Sequence, residues 1–420
     1  MSFTEVGFGG AVIGNLAVET TEREAADALS AAWAGGVRYV DTAPHYGLGL
    51  SERRIGSWLA NRGPGRSRPL LSTKVGRLLE PVADAPSGQD PEGFAVRATH
   101  RRVRDYSADG VRRSLEASLV RLGVDRIDIA LVHDPDDFWD EASRQALPAL
   151  VRMREEGMVG AVGVGMNQAA MLARFVRETD VDLVMPAGRF TLLDDSALKE
   201  LLPEALRRGV GVLAAGVFNS GLLACDEPRR HAHFDYRPAP PHLVRRARLI
   251  AAICREHGST LPAAAMHYAL RHPAVVSAVL GMRSPSEVRR NLALYADPPP
   301  PSLWSALGAE GVPDPGMNGD DDCADHPASG SARPRSQVVP SRVPHVKTSA
   351  RRRRPSGSSR ACPLHGPRRP GAARAATSSS SIASSVDRTP DSSGREVGAE
   401  PGSSRQRANR PRCTILLASI

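Results

Sequence analysis

The sequence predicts an α/β protein, a (β/α)8 TIM barrel over residues 1–312 followed by a low-complexity, disordered tail over residues 313–420. Three observations carry this. Strand-like and helix-like stretches alternate through eight units before the tail begins. Polar residues capable of chemistry stand at the carboxyl ends of consecutive strands, where barrel enzymes keep their catalytic groups. No helix opens directly behind Gly7-Phe8-Gly9-Gly10, as the phosphate-binding turn of a doubly wound sheet would require.

Taken in order, a first strand closes at Gly7-Phe8-Gly9-Gly10, and Thr21-Glu22-Arg23-Glu24 reads as a capping box satisfying free backbone donors at a helix start. That helix carries Ala25, Leu29, Ala32 and Trp33 on one face and stops at Gly35-Gly36. Val37 to Val40 form the second strand, and Pro44 and Gly47 end it in a tight loop bearing Asp41 and Tyr46. Ser51 caps a helix through Ile55, Trp58 and Leu59, and the third strand, Leu70 to Val75, delivers Lys74. Residues 76–106 show neither period and read as a long loop over the barrel mouth. Val111, Leu115, Leu119 and Leu122 mark a helix ending at Gly123, and strand four, Ile127 to Val132, presents His133. The remaining strands are Val159 to Val164, Val181 to Met185, Val210 to Ala214 and Val275 to Leu280; helices precede Gly157, follow Asn167 and span Ser196 to Arg208.

Charge separates the two parts of the chain. Residues 316–420 carry 18 Arg or Lys against 8 Asp or Glu, whereas residues 1–315 carry 37 against 38. The basic balance therefore belongs to the tail, and a near-neutral body argues against specific nucleic-acid binding. The tail is rich in Ser, Arg, Pro and Gly, with four arginines at 351–354, and has too few apolar groups to offset chain ordering; a read-through or frame change would explain it. Five cysteines without a paired spacing point to a reducing, cytoplasmic setting and no structural metal site. No leader-like start and no run of 18 apolar residues is present, so no membrane association is expected.

Among 55 basic residues only Lys74, Lys199 and Lys347 are lysines. A lysine at a strand end, where arginine is the default cation, marks a place for a compact ammonium. Asp41, Tyr46, Lys74 and His133 fall at the ends of strands two, three and four, neighbours in such a barrel. A phenol with an ordinary pKa near ~10 needs help to move a proton at neutral pH. Lys74 would supply a stabilising charge, Asp41 would hold Lys74, and His133 would orient a substrate carbonyl or hydroxyl. This group suits proton transfer coupled to hydride movement at a carbonyl carbon, with Tyr46 as acid in reduction and base in oxidation. Singly, each residue has a structural reading as a packing aromatic, a turn cap or a satisfied histidine.

Val-Asp-Thr-Ala-Pro-His-Tyr-Gly at 40–47, Ser-Thr-Lys-Val-Gly at 72–76 and Asp-Ile-Ala-Leu-Val-His at 128–133 resemble three signatures of the aldo-keto reductases. The resemblance runs from residue 7 to about 311. It implies the (β/α)8 barrel, NAD(P) bound without a Rossmann domain, and a catalytic tetrad of Asp41, Tyr46, Lys74 and His133. Gly-Leu-Gly-Leu-Ser-Glu at 47–52, Val-Phe-Asn-Ser-Gly-Leu-Leu at 217–223 and His-Asp-Pro-Asp at 133–136 are similar to the branch containing D-threo-aldose 1-dehydrogenase and L-fucose dehydrogenase, whose members oxidise aldoses at the anomeric carbon to lactones.

The resemblance also implies a cofactor set. Asn167 matches the asparagine that holds the nicotinamide carboxamide, although Met166 replaces the usual preceding serine and Ala187-Gly188 stand where a glutamine is common. Phe218, Asn219, Ser220, Gly221 and Leu222 would offer ring stacking and backbone donors for the pyrophosphate. Gly281, Arg283, Ser284, Glu287 and Asn291 would face the adenosine end, with Ser284, Pro285 and Glu287 starting a helix whose positive end faces a phosphate. Glu287 stands where NADP-preferring relatives often carry arginine, which favours NAD over NADP. The substrate would be a small aldose or aldehyde, with His45 and the 76–106 loop placed to contact it. Two other readings compete: a nicotinamide-nucleotide-binding barrel acting as a redox sensor, and a metal-dependent hydrolase built on His133, Asp134, Asp136 and Asp137.

Overall fold

Alternation of side chains along short parallel strands determines which residues reach the barrel axis, and the computed structural model shows this for residues 1–63, 65, 67–83 and 88–316. Eight parallel strands close a barrel: β1 (Val6–Gly9), β2 (Tyr39–Asp41), β3 (Leu70–Val75), β4 (Ile127–His133), β5 (Val159–Met166), β6 (Leu183–Pro186), β7 (Gly211–Ala215) and β8 (Val275–Gly281). Each strand pairs with its sequence neighbours, and β1 joins β8 through Val6 opposite Ala278. On β2 to β4 the register sets Asp41 beside Ser72 and Lys74 beside Leu131.

The interior of the barrel is a packed cluster that includes Phe3, Tyr39, Ile129, Leu131, Leu183, Met185 and Leu213. Their neighbours in sequence, among them Val40, Leu71, Ala130, Val132 and Val184, pack outward against the helices. Counting by twos from Tyr39 reaches Asp41, and from Leu131 reaches His133. The same alternation that fills the barrel thus places polar groups inward at its carboxyl end.

Several expectations hold closely. Thr21 and Glu24 form a reciprocal capping box on Glu22–Ala34, and Gly123, at φ 64°, ends Ala108–Leu122. Others need correction. Pairing in β2 begins at Tyr39, because the Val37 N–H still bonds Ala32 O at the close of the preceding helix. Ser51 is no cap: Gly49, at φ 78°, starts Leu50–Ala60, and the Ser51 hydroxyl instead donates to Gly10 O at 2.8 Å, bracing the first loop. The span Ser196 to Arg208 divides into a 3-10 turn, Ser196–Leu198, and a helix, Leu201–Arg208.

Much of residues 76–106 is not loop. Arg77–Pro81 and His100–Arg104 pair as an antiparallel hairpin. Its strands carry arginines engaged in ion pairs instead of an apolar alternation, which hid them from a periodicity search. The segment between the two strands binds the loop behind β1, with Ala17 N–H to Gly93 O at 2.8 Å and Ala95 N–H to Asn15 O at 2.7 Å. The expected tail beyond residue 316 lies outside the described residues.

Candidate active site

Lys74 is fully buried, and its ammonium stands between Asp41 and Tyr46. Nζ lies 2.7 Å from Asp41 Oδ2, 2.9 Å from the Tyr46 hydroxyl and 3.2 Å from the Thr42 carbonyl. An ammonium has three protons and no lone pair, so the Tyr46 oxygen must accept. The phenol's own proton is therefore directed away from Lys74. His133 joins from β4, its ring 6.1 Å from that of Tyr46 and near perpendicular to it. All four residues singled out from the sequence meet at one end of the barrel.

The stabilising charge expected of Lys74 does not bring the phenol down. Burial holds the Tyr46 hydroxyl well above the usual phenol range, and the negative charge of Asp41 adds to the effect. The ammonium is matched by Asp41 at 2.7 Å, so the phenol faces a neutral pair instead of a lone cation. At neutral pH Tyr46 is thus a protonated donor.

Residues that sequence reading passed over hold this group in place. Tyr39 and Ser72 hydroxyls are 2.9 Å apart, and Ser72 donates to Asp41 Oδ1 at 2.6 Å, leaving Oδ2 for Lys74. Beside Lys74, Thr73 points the other way and donates to the buried Glu52 at 2.7 Å, which Arg121 neutralises at 2.6 Å. The Tyr106 hydroxyl lies 2.6 Å from His133 O and 2.8 Å from Asp134 O, fixing the end of β4. Gly76, at φ 97°, lets the Tyr106 ring approach: a Cβ there would fall 2.3 Å from a ring carbon. The signal for these was present only as alternation, since Ser72 lies two residues before Lys74 and Tyr39 two before Asp41.

A cavity of about 630 Å³ opens beside the tetrad, lined by His45, Arg77, Glu92, Asp134, Asn167 and Asn219 among others. A narrower recess reaches Asp41 and Tyr46 and shares Gly216 with it. The lining includes the expected substrate-side residue His45 and parts of the 76–106 segment. Burial and the cations Arg77 and Arg102 push the His45 imidazole well below its ordinary range. Neutral His45 therefore accepts from Arg77 at Nδ1, 3.3 Å away, and its 3.6 Å approach to Glu92 is not an ion pair.

The cofactor candidates divide. Asn167, Asn219 and Ser220 line the large cavity, and Phe218, Gly221 and Gly281 line a recess with them or beside them. Leu222 does not: its side chain is in the core, and its N–H bonds Asn219 O at 3.1 Å. The N–H groups of Asn219 and Gly221 are likewise engaged within the turn, so fewer backbone donors face outward than expected. Ser284 caps Pro285–Ala296 by accepting from Glu287 N–H at 3.3 Å, while the Glu287 carboxylate takes the Arg283 N–H at 2.7 Å. Both amide atoms of Asn219, Nδ2 of Asn291, and Nε and Nη1 of Arg283 are buried without a partner. Such groups cost ~1–3 kcal/mol each unless a polar ligand meets them, so this set fits a bound nucleotide. Among the described residues no group of three His, Cys, Asp or Glu side chains could hold a metal ion, and no helix is long and apolar enough to cross a membrane.

Asp134 shows the cost of keeping a charge at the cavity wall. Burial raises its carboxyl to about 6 against the attraction of Arg77, with Asp136 adding to the rise and Lys74 and Arg104 opposing it. The folded state thus binds this proton more tightly than the unfolded chain, so the contribution of Asp134 to stability falls as pH rises from about 4 through about 6. Asp134→Asn should be the more stable protein at pH 7.5, by ~1–3 kcal/mol in denaturant titration, with the difference closing below pH ~4. Equal stability at both pH values would contradict this.

Comparison with known proteins agrees with the geometry. Residues 5–306 match the Aldo/keto reductase family. The D-threo-aldose 1-dehydrogenase of a Pseudomonas species is 44% identical over 319 residues, covering 75% of this chain and 96% of that protein. Pyridoxal 4-dehydrogenase of Microbacterium luteolum is 36% identical, covering 74% and 95%. A glycerol dehydrogenase structure from Gluconobacter oxydans shares the fold, with a TM-score of 0.60 at 24% identity, over 77% of this chain and 96% of that one. With the buried Asp41, Lys74 and Tyr46 meeting His133 at the carboxyl end of a closed parallel barrel, the chain belongs to the aldo/keto reductase family and is an NAD(P)-dependent oxidoreductase.

Proposed function

We propose that the chain oxidises an aldose at its anomeric carbon to the lactone, using NAD in preference to NADP, with Asp41, Tyr46, Lys74 and His133 as the catalytic group. The observation that carries this is the direction of the Lys74 hydrogen bond. Because Lys74 donates to the Tyr46 oxygen at 2.9 Å, the phenol keeps one proton and one lone pair for a reacting oxygen. A bound nicotinamide nucleotide supplies or accepts the hydride. In reduction Tyr46 protonates the oxygen formed from the carbonyl; in oxidation its conjugate base removes the hydroxyl proton. Buried His133 orients that oxygen, and Asp41 fixes Lys74. A sensor without turnover is not favoured, since all four groups are kept together at a buried cost that binding alone does not require.

The preference for NAD rests on Glu287. Its carboxylate is held at the start of Pro285–Ala296 by the Arg283 N–H. There it occupies the favourable end of the helix dipole and repels the added phosphate of NADP. Arg283 gives one nitrogen, Nη2, to Leu16 O at 2.8 Å, which leaves Nε and Nη1 for the rest of the nucleotide. The aldose reading draws on the 44% identical D-threo-aldose 1-dehydrogenase and on the hydrogen-bonding side chains Arg77, Glu92, Asp134 and Asp235 in the cavity wall.

Tyr46→Phe should lower turnover by ~10²-fold or more, followed as absorbance at 340 nm with a panel of aldoses, while nucleotide binding is kept. In the wild type the raised phenol makes the base form scarce, so the oxidative rate should climb with pH beyond neutrality while the reductive rate does not. An unchanged rate in the variant would make Tyr46 a packing residue. Glu287→Arg should move the kcat/KM ratio of NADP to NAD upward by roughly 10-fold, one charge reversal being worth ~1–2 kcal/mol; no movement would remove Glu287 from cofactor selection.

A further inference from the structure

The cavity lined by Asn167, Asn219 and Ser220 is also lined by the charged side chains Arg77, Glu92 and Asp134, which the proposed reaction does not use. Asp134 follows His133 directly and has φ 42°, a positive value that Asp adopts more readily than most residues other than glycine. Its backbone is pinned, the N–H on Gly165 O at 2.9 Å and the carbonyl on the Tyr106 hydroxyl. The side chain is 21% exposed and lines the cavity. Oδ2 pairs with Arg77 and lies 3.5 Å from His133 Nε2, while Oδ1 has no hydrogen bond among the described residues.

Arg77 opens the mouth hairpin and is buried between acceptors. It bonds Asp134 through Nη2, meets His45 Nδ1 at 3.3 Å and Glu92 at 3.5 Å through Nη1, and keeps a buried Nε without a partner. The hairpin is itself fixed. Arg102, on its second strand, bonds Asp90 at 2.6 Å and the His45 carbonyl at 2.9 Å.

We propose that Asp134, Arg77 and Glu92 form a hydroxyl-recognition clamp that selects neutral polyhydroxylated substrates, Asp134 accepting from a vicinal pair of hydroxyls and Arg77 donating to one of their oxygens. The inference deepens the aldose reading and rests on it. Carboxylates only accept and guanidinium only donates, so the matching ligand must offer both, as a hydroxyl does. An aryl aldehyde would desolvate these charges without replacing their hydrogen bonds. A sugar acid would bring its carboxylate against Asp134, Glu92 and Asp235 with Arg77 as the single cation of the lining. The raised carboxyl of Asp134 is consistent with a group kept for a ligand instead of for stability. The charged and titratable groups facing it are Arg77, His133, Asp136, Lys74 and Arg104.

The experiment compares kcat/KM of the wild type, Asp134→Asn and Arg77→Met on an aldose, its deoxy analogues and a hydroxyl-free aliphatic aldehyde run in reduction. For the aldose, each variant should lose ~10²-fold or more, mainly in KM, while the hydroxyl-free aldehyde changes less than about threefold. Removing one hydroxyl of the recognised pair should impair the wild type and add little to the loss in Asp134→Asn. The wild-type aldose KM should also rise as pH falls through about 6, a dependence absent from Asp134→Asn. Equal losses on both kinds of substrate, or none on the aldose, would overturn the clamp and leave the oxidoreductase chemistry standing. No turnover of any substrate by the wild type would overturn both.

Discussion

A fully buried ammonium sets the terms for this candidate site. Lys74 has no access to water, so every proton on Nζ must find an acceptor inside the barrel. Asp41, Thr42 O and Tyr46 provide them, and each distance is within hydrogen-bonding range. Because the ammonium has nothing to accept with, the polarity of this hydrogen-bonded series is fixed: Ser72 donates to Asp41, Lys74 donates to Asp41 and Tyr46, and the phenol proton is left pointing away from Lys74. The parallel barrel supplies the frame, since neighbouring strands in register bring alternate residues of β2, β3 and β4 to one depth.

Around this fixed centre, the surroundings divide into two kinds of polar wall. Toward the loops after β7 and β8 stand buried side-chain atoms without protein partners, on Asn219, Arg283 and Asn291. Toward the mouth hairpin stand charges that are paired with one another, Arg77 with Asp134 and Arg102 with Asp90. The first kind fits a ligand that completes hydrogen bonds, as a nucleotide does. The second is already neutralised and rigid, which suits discrimination among small substrates more than tight binding.

How much of this could be read from the chain depends on whether a feature was local. Lys74 stood out because arginine serves as the cation almost everywhere else, and Leu70–Val75 has a clear strand pattern with sharp bounds. The closeness of Asp41, Tyr46, Lys74 and His133 followed from placing strand ends side by side. What could not be read depended on contacts between distant segments. Ser51 has the residue type of a cap, yet the carbonyl it serves belongs to Gly10. The mouth hairpin is held by arginine pairs, so no apolar rhythm announces it. Leu222 sits in a turn that resembles a ligand loop, but its apolar side chain belongs to the core. The raised Tyr46 hydroxyl could not be read from residue spacing, because complete burial of the phenol is its main cause and the Asp41 charge adds to it.

The measurement that tests the central claim most directly is single-turnover hydride transfer in Lys74→Met beside the wild type, with nucleotide affinity measured separately by fluorescence. Loss of the hydrogen bond that orients the phenol should slow transfer by ~10²-fold or more, with nucleotide affinity within about threefold of the wild type. Transfer at the wild-type rate in a folded Lys74→Met protein would contradict the account.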